Sequence, residues 1–482
     1  MTSYSCEFSR TKGIVYDLFF TSLTKVLSTK LIESICVGKV IIRYTNDYGD
    51  GTSGYLDYGS GIVVTTASGQ PIEVTSTSSG VVNIQPAGVA SDAFGRLRTS
   101  SPLTLFDSSH RYKDNGLWTT ATGTGGTATF DANAGLVTLN TTTASGSSII
   151  RETVKCFSYQ PGKSLLVMST FVMNAPQTNL RQRVGYYGAS NGMFLEQDGT
   201  TISFVKRSAV TGSTVDTKVV KADWNIDKMD GTGPSGYTLD LTKAQIFWMD
   251  IEWLGLGTVR LGFIINGEFV HCHSFHHANL ITSTYITTAS LPLRYEITNT
   301  GTTASSSTMK QICSTVLSEG GYELRGSQQA VGTTITGAYN LTASGTYYPP
   351  VAIRLKAANL DAIAIVTAVA IMASGGTANY SWRVNQAATV SGGTWTSAGV
   401  NSSVEYNLSG VSSSGGRVLA QGYFAGGNNN QVPINILKEA VFQSQLERDG
   451  LTSTPYEISV TVAASSNNQG VYASMDWEEI SR

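Results

Sequence analysis

The stretch that decides the fold runs from Gln245 to Thr298: QIFWMDIEW (245–253), LGLG (254–257), TVRLGFIINGEFVHCHSF (258–275), HHANL (276–280) and PLRYEIT (292–298). Asn266-Gly267 between two alternating apolar runs predicts a two-residue type I′ hairpin, because that turn needs φ > 0 at both central residues. A two-residue loop fixes the pairing: Ile265 with Glu268, Phe263 with Val270, Leu261 with Cys272, Val259 with Ser274. Period-two alternation then puts Val259, Leu261, Phe263, Val270 and Cys272 on a core face. His271 and His273 fall together on the other face, with Arg260 opposite His273. In the preceding strand Phe247, Met249, Ile251 and Trp253 form an apolar row, and Ile246, Trp248, Asp250 and Glu252 a mixed one.

The rest of the chain repeats the theme. Charged residues make up only 14% of the 482, against about a quarter in ordinary domains, and 50 glycines punctuate short apolar runs. Ser and Thr supply the polar faces. This composition predicts an all-β protein: two tandem β-sandwich or jelly-roll domains behind an extended N-terminal arm. The arm covers residues 1–90. Ile14, Leu18, Val26, Leu27 and Leu31 suit one side of a helix, and the runs GIVVTT, PIEVTST and GVVNIQ suit strands that borrow partners elsewhere. The first sandwich covers 91–325, with tight turns at Asn191-Gly192 and Asp198-Gly199. Its run RVGYYGASNGMFLEQDGTTISFVKRS is patterned like the hairpins of lectin-like jelly rolls. GSQQAVG (326–332) reads as a linker into the second sandwich, 326–482. There Leu360–Met372 reads as a buried strand and Asn435–Arg448 as a helical candidate.

Composition also excludes classes. A net charge of −2 gives no basic field for nucleic acid. Five scattered cysteines without C-x-x-C spacing indicate neither a disulfide framework nor a zinc site, and free thiols fit assembly in a reducing cytoplasm. No apolar run has the length and purity of a membrane span, and no stretch has a signal-peptide layout.

Longer phrases carry a resemblance. DAFGRLRTSSPLTLFDSSHRY, MDIEWLGLGTVRLGFIINGEF, HHANL, LPLRYEITNTGTTASSSTMKQIC, SEGGYELRG, VAIRLKAANLDAI and MDWEEIS resemble an uncharacterised family of virion structural proteins of tailed phages, notably marine phages and cyanophages. The resemblance covers roughly residues 91–482. It implies a virion component assembled in the host cytoplasm, in contact with other virion proteins and homotrimeric, and gives no fixed place on the particle; the expected part is a tail-fibre or baseplate-associated appendage that recognises the host surface, with a capsid decoration or head-fibre protein and a polysaccharide-degrading tailspike as the alternatives. It brings no catalytic residues and no cofactor.

Five constellations hold residue types that could carry chemistry. His271 and His273, as an H-x-H pair on one strand face, are candidate metal ligands, but Arg260 opposite opposes a cation, and interface histidines are the simpler reading. Asp250 and Glu252 are spaced like the carboxylates of jelly-roll glycosidases, yet the E-x-D-x-x-E order is changed and its third acid is missing. Asp227, Asp230 and Asp240 around DGTGPSG lack the EF-hand order. Arg181 and Arg183 share a face and suit an acidic partner. Tyr347 and Tyr348, like Tyr186 and Tyr187, suit stacking on a host-surface glycan. The expectation is a non-enzyme without a cofactor.

Overall fold

The computed structural model describes residues 101–323, 325–427 and 444–481, and the backbone of a few further strands. It divides into two compact units, Met1–Thr99 and Ser100–Arg482.

In the first unit, strands Ile14–Phe20, Val40–Asn46 and Ser53–Gly54 form one antiparallel meander, and Ile62–Thr65, Pro71–Ser76 and Val82–Pro86 another. Among the described residues these strands pair with their sequence neighbours. Ile14–Phe20 is a strand, although its apolar spacing suits a helix face. Val26, Leu27 and Leu31 lie outside the described residues.

The second unit is all-β and contains two sandwiches. In the first, an eight-stranded sheet runs in the order Glu268–Phe275, Val259–Ile265, Gln245–Ile251, Ser164–Val172, Ser307–Glu319, Leu136–Thr141 and Thr127–Asp131, with Pro102–Ser109 also paired to Ser307–Glu319. The facing seven-stranded sheet runs Val215–Val220, Thr201–Ser208, Gly192–Asp198, Leu180–Tyr187, Leu293–Asn299, Ser148–Thr153 and Trp118–Thr122. Alternation puts Phe247, Met249, Leu261 and Phe263 of one sheet against Val184, Leu195, Phe204 and Tyr295 of the other, all fully buried. Phe204 stacks on Trp224 at 4.1 Å. Such two-sided interdigitation is the main driving term for a sandwich.

The deciding hairpin forms as read at its tip. Asn266 and Gly267 have φ of 53° and 84°, and Ile265 pairs with Glu268 and Phe263 with Val270. Beyond that the register shifts by one. Gly262 pairs with His271 and Leu261 with His273, so Cys272 is bulged and Val259 meets Phe275. A bulge turns two successive side chains to one side, and Cys272 and His273 both point into the core. The cause sits at Gly262, where a Cβ would collide with the Val270 carbonyl and the Trp248 ring. The expected result for Gly262→Ala is a loss of about 1–3 kcal/mol, read as a lower midpoint in urea unfolding.

The second sandwich has its own core around Trp477, Met475, Val366, Tyr380 and Val460. One sheet runs Ser327–Gly332, Gln469–Ser481, Ile363–Ala373 and Gln431–Ile434, with Tyr339–Leu341 also on Gln469–Ser481. The other runs Thr396–Ser397, Val404–Asn407, Tyr348–Leu355, Glu457–Ala464, Asn379–Ser391 and Ser412–Ser414, with Arg417–Ala425 also on Asn379–Ser391. Two readings change here. GSQQAVG is an edge strand rather than a linker: Ser327–Gly332 pairs with Gln469–Ser481. Arg448, at the end of the helical candidate, lies in the short strand Arg448–Asp449, and residues 435–443 lie outside the described residues. Among the described residues no helix is long and apolar enough to cross a membrane.

Candidate functional site

The densest chemistry lies on the outer face of the first sandwich's seven-stranded sheet. Because Val184, Tyr186, Leu195 and Tyr295 point inward, period two sends Arg181, Arg183, Tyr187, Phe194, Glu196, Arg294 and Glu296 outward. Tyr187, Phe194 and Val205 form a small buried island there, with the two rings 4.4 Å apart. Guanidinium groups roof it: Arg207 and Arg183 lie 5.1 and 5.2 Å from the Phe194 ring, and Arg294 lies 5.2 Å from that of Tyr187. Such stacking suits arginine, whose planar head is weakly hydrated.

Carboxylates close the network. Arg183 Nε donates to Glu196 at 2.7 Å, and Arg183 and Arg181 reach Glu296 at 3.4 and 3.1 Å. Arg207 holds Asp216 through two bonds of 2.8 and 2.9 Å, and Lys218 pairs with Glu196. Burial alone would raise the Glu296 pKa, but Arg183, Arg181 and Arg294 outweigh it and hold the group below the usual range. Asp216 is likewise lowered, burial being outweighed by Arg207.

At the edge of this face the two sandwiches meet. Glu152 takes Arg294 Nε at 2.8 Å on one oxygen and Arg448, from the second sandwich, on the other. Arg448 also donates to the Thr153 carbonyl at 3.2 Å and lies 3.5 Å from Asp361. Glu152 and Arg448 are 1% and 2% exposed, so neither charge is left to water. Backbone bonds run alongside: Arg448 N to Val154 O and Leu446 N to Ala364 O, both 2.9 Å, with the Gln445 side chain on Cys156 O. Segment 444–449 is therefore hydrogen-bonded to both sandwiches at once. Burial keeps the Cys156 thiol protonated, its pKa raised despite Arg448 beside it.

The other candidates resolve one by one. Asp250 faces outward and is paired with Arg260 on the neighbouring strand; burial still raises its pKa. Glu252 lies past the strand end, exposed, and accepts from Thr258 N at 3.1 Å. The bulge separates His271 from His273, correcting the H-x-H reading. His271 packs on Trp248 and bonds Ser274 Oγ at 3.0 Å, whereas His273 is buried beside Phe204 and Phe275. Arg260 now faces Ser274. Among the described residues no three His, Cys, Asp or Glu side chains converge as metal ligands. Asp227 accepts from Met229 N and Ser235 N, and Asp230 and Asp240 close turns onto Thr232 and Thr242. Tyr348 packs against the second core and bonds Thr342, while Tyr347 points outward to Ser381. Sequence pattern does not reveal Glu152, Glu196, Arg207, Asp216, Arg294, Glu296 or Arg448; its one visible signal is that Arg181 and Arg183 share a face.

No protein-family model and no curated protein matches the chain. Solved structures do align. The Emp47p carbohydrate recognition domain aligns at 11% identity and TM-score 0.29, over 48% of this chain and 99% of that one. A Bacteroides ovatus mixed-linkage glucan GH16 enzyme aligns at 10% and 0.31, over 44% and 99%. A conserved carbohydrate esterase from the Shiga toxin-encoding bacteriophage phi24B aligns at 13% and 0.28, over 45% and 100%. No residue role follows from likeness at this level.

Proposed function

We propose that the chain is a non-catalytic structural component of a tailed-phage virion, in a tail-fibre or baseplate-associated appendage, where it contacts other virion proteins as a homotrimer. The observation that carries this reading is the Glu152–Arg448 junction. A buried ion pair, flanked by backbone bonds, joins two sandwiches into one stiff body, and load-transmitting parts need such stiffness. The resemblance over residues 91–482 supplies the virion setting. The charge network points the same way: Glu152, Glu196, Asp216, Asp250 and Glu296 are each held by arginine, which leaves none of them free as a general base. A capsid decoration protein would use the same body. A polysaccharide-degrading tailspike would need Asp250 released from Arg260.

Two measurements test this. Light scattering of the purified chain is expected to give three times the chain mass, and a monomer at all concentrations contradicts the trimer. Incubation with host capsular polysaccharide is expected to release no reducing sugar. Release that disappears in Asp250→Asn would show an enzyme.

A further inference from the structure

On the second sandwich, Tyr380, Trp382 and Val384 of strand Asn379–Ser391 are buried, so Ser381 and Arg383 face outward. Cross-strand register puts Ser381 between Ala463 and Tyr423, and Arg383 between Thr461 and Gln421. Tyr347 reaches over the same face: its hydroxyl lies 2.7 Å from Ser381 Oγ, and the Arg383 guanidinium sits 4.0 Å from its ring centre. Tyr423, on the other side of Ser381, is 79% exposed. With strands about 4.8 Å apart, Tyr347 and Tyr423 thus stand on either side of Ser381, whose other cross-strand neighbour, Ala463, is buried.

Among the described residues Arg383 has no carboxylate partner, and its Nε is buried without a hydrogen bond. Arg354 on the same sheet makes the contrast. It stacks on Trp395 at 4.0 Å, but Glu405 and Glu457 neutralise it. We propose that Tyr347, Arg383, Gln421 and Tyr423 form a binding site for a saccharide carrying a carboxylate, of the uronic-acid class. The exposed ring takes the apolar face of a pyranose. The forked guanidinium, fixed in orientation by Tyr347, takes the carboxylate. Gln421 and Ser381 are placed for hydroxyls. A neutral sugar would leave the guanidinium uncompensated. The site goes beyond the structural role proposed above and does not depend on a virion setting.

The test is calorimetric titration of the full chain with oligogalacturonate. Binding is expected for the wild type, with a loss of about tenfold in Tyr423→Ala and in Arg383→Gln. Tyr112→Ala, which removes a 91% exposed ring from the first sandwich, is expected to bind as the wild type does. No binding, equal binding by all variants, or equal binding of neutral dextran overturns the proposal. Equal binding of polyglutamate would show a carboxylate site without saccharide recognition and also overturns it.

Discussion

Glu152→Gln is expected to destabilise the protein by about 3–5 kcal/mol, more than any other single side-chain change proposed for this chain. The substitution keeps the shape and removes the charge that two arginines share. Arg294 and Arg448 are 8% and 2% exposed, so each keeps its cost of desolvation and loses its main compensation. Urea unfolding followed by tryptophan fluorescence measures it. The wild type is expected to unfold in one transition for the two sandwiches, and the variant in two, because the junction no longer couples them. Adding Arg448→Met is expected to recover part of the loss, since an apolar side chain of similar length tolerates the buried position. A variant within about 0.5 kcal/mol of wild type would mean that the junction is solvated and the sandwiches are independent.

Acid is the second strong lever. His273 accepts from Asn225 N at 3.3 Å through Nδ1. His277 donates Nδ1–H to the Gly257 carbonyl at 2.6 Å and turns Nε2 to the Lys206 ammonium at 3.1 Å. Both arrangements need the neutral ring, and burial, first among the causes, lowers each pKa to about 4. The unfolded chain titrates these histidines near 6.5, so between pH 6.5 and 4 it binds more protons than the folded one. Stability is therefore full above pH 6.5 and falls with pH, by up to about 1.4 kcal/mol per unit for each histidine. For the pair, about 4 kcal/mol is expected to be lost between pH 7 and 5. His110, also lowered mainly by burial, acts with the same sign. Glu296 and Asp216, both depressed, add their loss only at lower pH, as it falls from the unfolded carboxylate range through their folded values. His277→Gln keeps a donor and an acceptor, and is expected to cut the slope substantially. A flat profile between pH 7 and 5 would contradict neutral, buried histidines.

Much of this architecture is legible in short-range pattern. Asn266-Gly267 marks its turn because the backbone there demands positive φ, and alternation finds Phe247, Met249, Leu261 and Phe263. The bulge at Cys272 escapes because it rests on close approach that alternation does not show: Gly262 is crowded by the Val270 carbonyl and by Trp248 of a third strand, which pairs opposite it. The same slip that moves Arg260 away from His273 dissolves the metal reading. Ser327–Gly332 reads as a linker because it lacks an apolar row, yet an edge strand needs only a backbone to pair with. Arg181 and Arg183 are visible as neighbours on a face, but Glu196 and Glu296 join them only through sheet register. Glu152 and Arg448 are 296 residues apart, and no local pattern links two such positions. Sparse charge is the remaining hint: in a chain this poor in ions, the buried carboxylates of the outer face each meet an arginine, whereas the half-buried Arg383 has no carboxylate partner among the described residues.

If this double sandwich is a built-in part of a phage particle, it must be found on the particle. Immunogold labelling of purified particles, with antibodies raised against the full chain, asks that question without an intermediate step. Label is expected on every particle, concentrated at the tail fibres or baseplate. Label spread over the head would keep the virion role and replace the appendage with a decoration protein. Particles that carry no label would contradict the virion role altogether.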